Sequence, residues 1–342
     1  MLASFLSLAL LAPAPIRHFA VAQRYDVRAL PAGTPQGKLF LPLPQDDPWQ
    51  QVTALSIEGA PFEIVHDSAH GNEAALVQVP LGGAHVAVSY EIRRRERAAD
   101  VSLADGENAP DGYADALRSD RRVPVDDRLR ALAHELTAGA ATPLARARAI
   151  YDYVLAHMRY DKSGKGWGEG DLRWACDEHR GNCTDFHSLL IGLLRASGIP
   201  ARFQIGYAVP ETTGGDLPGY HCWADFYLSG AGWVPVDASE AWKHPERRAY
   251  FFGHHDADRF ALSMGRDLVF PGMAGAPLNF FVYPYLEVDG KAAPDLLSRK
   301  TTFRELDLHA AVAPARTPGR LARASRPCPR APTARERLRR AD

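Results

Sequence analysis

The 342-residue sequence predicts an α+β fold preceded by a small β-sandwich. Three observations carry that prediction. Residues 24–98 break into short alternating apolar runs separated by glycine-containing turns, as in antiparallel sheets. Residues 125–200 change to helical spacing. From Ala201 strand patterns return, and a block of helices followed by a block of strands argues α+β over alternating α/β.

Taken in chain order, residues 1–23 come first. Leu2 to Ala12 is an apolar run of signal-segment length, too short to span a bilayer. Ala20-Val21-Ala22 offers small residues for cleavage before Gln23. Against this, no Lys or Arg precedes the run, and Arg17 and His18 interrupt its approach to the cleavage point. The expected location is periplasmic or secreted if the segment works as a signal, and cytoplasmic if it does not.

Within 24–98, Lys38–Pro44, Val52–Ile57 and Phe62–Val65 read as strands, the first ending in proline, and Val86, Val88, Tyr90 and Ile92 alternate with Ala87, Ser89, Glu91 and Arg93. Residues 99–124 are polar and irregular and read as a linker. Residues 125–310 form the second domain. Val125 to Leu136 and Leu144 to Met158 follow helical spacing, and residues 161–173 form a glycine-rich loop. A helix then starts at Cys183 and stops near Gly198-Ile199-Pro200. Ala201–Tyr207, His221–Leu228 and Trp233–Val236 read as strands, and the aromatic run Phe280, Phe281, Tyr283 and Tyr285 as a core strand. Residues 311–342 alternate Ala, Pro and Arg and lack the apolar groups to offset chain entropy, so a disordered tail is expected.

Composition narrows the function. Hydrophobic residues make up 46% and charged residues 24%, an ordinary globular balance with enough chain for two domains. Nine arginines against two acids fall between Ala313 and Asp342, so the body is acidic and carries no nucleic-acid signature. Four cysteines are too few for a disulfide scaffold. A Cys176–Cys222 bridge stays open, although Cys222 should point away from His221 on its strand as a buried thiol.

The chemistry concentrates in GNCTDFHSLL, residues 181–190. Cys183 at a helix start meets the positive end of the helix dipole and free backbone N–H groups. Both favour the thiolate, which is the nucleophile. His221 follows in YHCWADFY and Asp237 in GWVPVDAS, which supplies a base and an acid to orient it. Adjacent antiparallel strands would bring His221 beside Asp237. The competing metal reading, Zn²⁺ on Cys176, His179, Cys183 and His187, lacks the Cys-x-x-Cys knuckle, so no metal and no cofactor are expected. Asp185 reads as a helix-dipole partner, His187 as a core or cleft-wall residue, and His254-His255-Asp256 as a loop near the cleft. Arg259, Arg266 and Asp267 read as ion pairs that pin the C-terminal segments.

GNCTDFHSLLIGLLRASGIPAR, YHCWADFY and GWVPVDASEAWK together resemble the bacterial transglutaminase-like superfamily, whose fold is similar to that of papain-type cysteine proteases. FFGHHDADRF, GRDL and NFFVYPYLEVDG resemble its C-terminal half. The resemblance implies Cys183 as nucleophile, His221 as base and Asp237 as third member. It implies acyl chemistry on peptide or protein amides, with hydrolysis favoured over transfer to an amine. The Cys183 N–H is a natural oxyanion donor, and the family's habit of an upstream side chain makes Trp174, or Trp167, the second. The expected partner is a peptide or protein substrate, without nucleic acid or stable membrane insertion. The alternative is a non-catalytic binding module that keeps the fold.

Overall fold

The computed structural model describes residues 15–308 apart from Pro35. The apolar run Leu2–Ala12 and the Arg-rich tail therefore lie outside the described residues. Five helices matter for the site: α1 (Asp127–Thr137), α2 (Pro143–His157), α3 (Leu172–Glu178), α4 (Cys183–Ala196) and α5 (Ala238–Lys243). Around them lie three larger sheets, all antiparallel.

Two five-stranded sheets build the sandwich. One runs in the order 214–216, 297–305, 16–27, 84–95, 50–58. The other runs 291–292, 285–288, 37–42, 73–79, 62–66. Their inward residues, such as Val21, Tyr25, Val88 and Tyr90 from one and Leu39, Leu41 and Val77 from the other, share one core. The alternation read at 86–92 is the burial pattern of the strand 84–95, inward on every second residue.

Three expectations are revised here. The first concerns Gln23. The strand Ile16–Val27 is bonded on both sides, to 84–95 and to 297–305. A cut before Gln23 would remove Ile16–Ala22 from the middle of that sheet, so those residues belong to the fold. The second concerns domain limits. Tyr285–Val288 pairs with Gly37–Phe40, and Leu297–Glu305 pairs with Phe19–Val27. The sandwich is thus completed by strands from the far end of the chain. Third, residues 99–124 pack closely: two short 3₁₀ turns form, Tyr113 stacks on Tyr227 at 3.9 Å, and Val123 is buried.

The third sheet carries the site. Its order is 232–236, 221–228, 201–208, 259–264. α4 lies against it, with α1, α2 and α3 packed on the other side of the helix. Leu189, Leu190, Ile191, Leu193 and Leu194 are all buried, which makes α4 the central helix of the molecule. Its stop comes where the sequence places it, at Ser197 followed by Gly198 in the left-handed region. Among the described residues no helix is long and apolar enough to cross a membrane.

Candidate active site

The start of α4 is over-determined. Asn182 is the N-cap and accepts from Thr184 N–H, while Asp185 reaches back to accept from Asn182 N–H at 2.9 Å, a reciprocal capping box. Gly181 permits this: its φ is +141°, and a β-carbon there would sit 2.2 Å from an Asp185 carboxylate oxygen. Asp185 does more than complement the dipole. It also accepts from Gly168 N–H at 2.7 Å and Gly170 N–H at 3.0 Å, tying the glycine-rich loop to the helix start.

Cys183 is the first residue of α4 and 2% exposed. Its N–H has no acceptor among the described residues, as expected for the first helical N–H group. His221 opens its strand opposite Gly206. The His221 Nε2 lies 2.7 Å from Asp237 Oδ2, which leaves Nδ1 for the thiol. The His221 and Cys183 side chains are hydrogen-bonded. Asp237 caps α5 and is fully buried. The three residues picked out in the sequence are thus brought together by a helix start, a strand start and a strand end.

The charges are set by mutual compensation. Burial would lower the His221 pKa, but Asp237 and the bonded thiol raise it to about 10. Burial would raise Cys183, yet hydrogen bonds from Cys222 and His221 and the positive charge of His221 hold its thiol well below the usual range. Burial opposes ionisation of Asp237 too, and His221 and Arg259 overcome it. These directions favour a thiolate, an imidazolium and a carboxylate side by side.

Cys222 is the buried free thiol expected on the strand face opposite His221, and it has a contact that the sequence did not suggest. It hydrogen-bonds the Cys183 side chain and lies 3.6 Å from His187 Nδ1, facing α4. Strand alternation still holds locally, since His221 shares a face with Trp223. As first residue of the strand, however, His221 reaches round the sheet end to the thiol. Burial first, and then Cys183, push the Cys222 thiol well up, so it stays protonated and donates. His187 is a buried neutral strut: Nδ1–H donates to Cys183 C=O at 2.8 Å and Nε2 accepts from Ala238 N–H at 3.1 Å. Burial keeps its pKa down.

Arg259 was missed as a site residue. It is 2% exposed and donates to Asp237 Oδ2 at 2.8 Å and to Asp256 at 3.0 Å. A sequence signal existed: an arginine entering a strand of Phe260, Ala261 and Leu262 needs a buried counter-charge. Arg266 makes no ion pair among the described residues. It is held by Gly170 C=O, Asn279 and Ser188 Oγ, while Asp267 pairs with Arg121. His254-His255 is a two-residue strand paired with Arg97-Ala98, and His255 is a neutral buried ring against Trp223. Phe280 and Phe281 lie in irregular backbone and Tyr283 in a bend, so that of this run only Tyr285 enters a strand; Tyr283 Oη accepts from Tyr220 N–H at 3.2 Å.

Trp174 does not face the thiol through any contact the structure shows. Its indole Nε1 abuts Gly166, where a β-carbon would come within 2.4 Å, and the Arg180 guanidinium lies over its ring. Trp167 sits in the loop beside Lys162. Cys176, Cys183 and Cys222 are free thiols. His187 and Cys183 are engaged as described, and no three His, Cys, Asp or Glu side chains converge as metal ligands among the described residues. A cavity of about 670 Å³ lined by Arg17, Glu96, Glu211, Tyr250, Asp256 and Asp258 does not include Cys183 or His221.

The sequence model of the transglutaminase-like superfamily matches residues 130–238, a span that contains all three residues. A candidate cysteine protease from Cytophaga hutchinsonii has a similar crystal structure, with a TM-score of 0.62 and 16% identity over 90% of this chain and 96% of that one. A Haemophilus influenzae protein is 28% identical over 317 residues, covering 80% of this chain and 86% of its own length. YebA of Bacillus subtilis is 27% identical over 149 residues, a fifth of that protein. Residues 130–238, which hold the α4 start and the two following strands, are thus a core of the transglutaminase-like superfamily type.

Proposed function

We propose that this protein performs thiol-dependent acyl chemistry on peptide or protein amides, with Cys183, His221 and Asp237 as nucleophile, base and orienting acid. The observation that carries the reading is the position of His221: one ring nitrogen on Asp237 at 2.7 Å, the other left for a thiol at a helix start. The Cys183 thiolate attacks the amide carbonyl. His221 delivers its proton to the departing amine, and a thioester remains on Cys183. Water, activated by the now neutral His221, then releases the acid. We favour water over an amine as the acceptor, in keeping with the similar candidate cysteine protease. An exported location is proposed with this reading, on the apolar run Leu2–Ala12.

The test is the pH dependence of iodoacetamide labelling, read by mass spectrometry on the whole chain. Cys183 should label with an apparent pKa well below the reference of about 8.5. In His221→Ala that value should rise toward the reference. Cys176, pushed up to about 11 by burial, serves as an internal control. An ordinary Cys183 thiol indifferent to His221 would replace the enzyme reading with a binding module. Peptide amides incubated with and without a fluorescent primary amine then separate hydrolysis from transfer.

A further inference from the structure

The oxyanion that forms during acylation needs two donors, and the Cys183 N–H supplies one. We infer that the hydroxyl of Tyr160, rather than an indole of Trp174 or Trp167, is the second donor, a further catalytic group of the reaction proposed above. The placement comes from the backbone. Arg159-Tyr160 runs parallel to Arg180-Gly181, with Tyr160 in register with Gly181, two residues before the nucleophile. Asp161 N–H donates to Gly181 C=O at 3.0 Å and closes the ladder. This short ribbon holds Tyr160 beside the α4 start, with its ring 6.1 Å from that of Phe186 on the first turn of α4. On its other side α5 packs, and Lys243 Nζ lies 4.2 Å from the ring centre.

Two phenols feel the Cys183 charge, and only one is free to donate to a substrate. Tyr220 Oη accepts from Asn182 Nδ2 at 2.9 Å and lies 3.4 Å from Thr184 Oγ1 and 3.5 Å from Gly168 C=O. Its oxygen is committed to the capping residues and the loop. The Tyr160 hydroxyl has no hydrogen-bond partner among the described residues, and the residue is only partly buried. After burial, the negative charge at Cys183 is the largest influence that keeps Tyr160 protonated and able to donate. The side chains closest to α4 that could compete are otherwise occupied: Asn182 by Thr184 and Tyr220, His187 by Cys183 C=O and Ala238. A donor aimed where charge develops is worth about 10²–10³ in rate at comparable sites.

The inference rests on the proposed acyl chemistry, so the test separates the two. Wild type, Tyr160→Phe, Trp174→Phe and Cys183→Ala are each given p-nitrophenyl acetate and, separately, iodoacetamide. Acylation passes through an oxyanion; alkylation at a saturated carbon does not. Tyr160→Phe should slow acylation of Cys183 by at least about tenfold. It should leave the iodoacetamide rate and its pH profile unchanged, and Trp174→Phe should acylate like wild type. Acylation of Tyr160→Phe at the wild-type rate overturns the inference, as does an equal fall in both reactions, which would make Tyr160 a support for the thiolate. Unchanged alkylation also reports that the variant is folded. Wild type acylating no faster than Cys183→Ala would instead remove the acyl-chemistry reading itself.

Discussion

Asp237 shows how much one carboxylate can organise. Its Oδ2 accepts from His221 and Arg259, and its Oδ1 accepts from Ser239 Oγ and Glu240 N–H. Arg259 partly neutralises the charge that His221 feels, so removing it has a predictable sign. In Arg259→Gln the His221 imidazolium should be held more tightly, and the alkaline limb of Cys183 reactivity should move above its expected place near pH 10. A rate-versus-pH profile reads this directly, and an unmoved or lowered limb would contradict it. In Cys222→Ala the thiolate loses a donor, and the acid limb should move upward. At this scale the sequence was largely legible. Cys183, His221 and Asp237 sit at a helix start, a strand start and a strand end, contexts from which their meeting could be read. The approach of Arg259 to Asp237 could not be read so, because it depends on the path of the chain between them, and the two-residue strand of Tyr160 is too short to leave a periodic trace.

At the scale of elements, the loop 161–170 and the start of α4 are one unit joined by Asp185. Burial holds its carboxyl above the usual range, although three backbone N–H groups oppose the shift. Asparagine in its place presents an amide N–H₂ to donors that need an acceptor. Asp185→Asn should cost about 1–3 kcal/mol of stability and speed hydrogen exchange across 164–170. Unchanged exchange there would detach the loop from the helix start. The strand of His221 has a similar constraint. Gly206 faces His221, and a β-carbon on it would lie 1.8 Å from Phe260 C=O, next to a register shift at Ile205/Gly206. Gly206→Ala must push the strands apart and should cost about 1–3 kcal/mol, read as a fall in Tm. Helices of three or more turns were legible from apolar spacing, with ends within a few residues. The strand 73–79 was overlooked because Ala74-Ala75-Leu76-Val77 is apolar on both faces and has no alternation to detect.

For the whole molecule, the sandwich and the site-bearing sheet are joined through Asp225. This buried carboxylate takes Arg97 from the sandwich side at 2.8 Å and Arg202 from its own sheet at 2.8 Å. Burial opposes its charge, but the two arginines bring its pKa to about 2. The value is depressed below the unfolded one, so the stability it confers is present above about pH 4 and is lost as pH falls through about 2. Asp225→Asn leaves Arg97 buried without its counter-charge and should cost about 3–5 kcal/mol; it should also flatten the acid limb of the stability curve. Thermal unfolding between pH 2 and pH 7 tests both. Phe260 makes the same junction in apolar terms, with rings of Phe19, Tyr90 and Tyr207 within 6.0 Å. The two-part plan was legible, but its partition was not, because register between strands nearly 300 residues apart leaves no mark on local sequence. That register has a consequence for synthesis. Ile16–Val27 is synthesised long before Leu297–Glu305 and keeps one edge unpaired until that strand arrives. A sheet closed by so distant a partner should fold slowly and depend on holding chaperones while the residues between the two strands are translated.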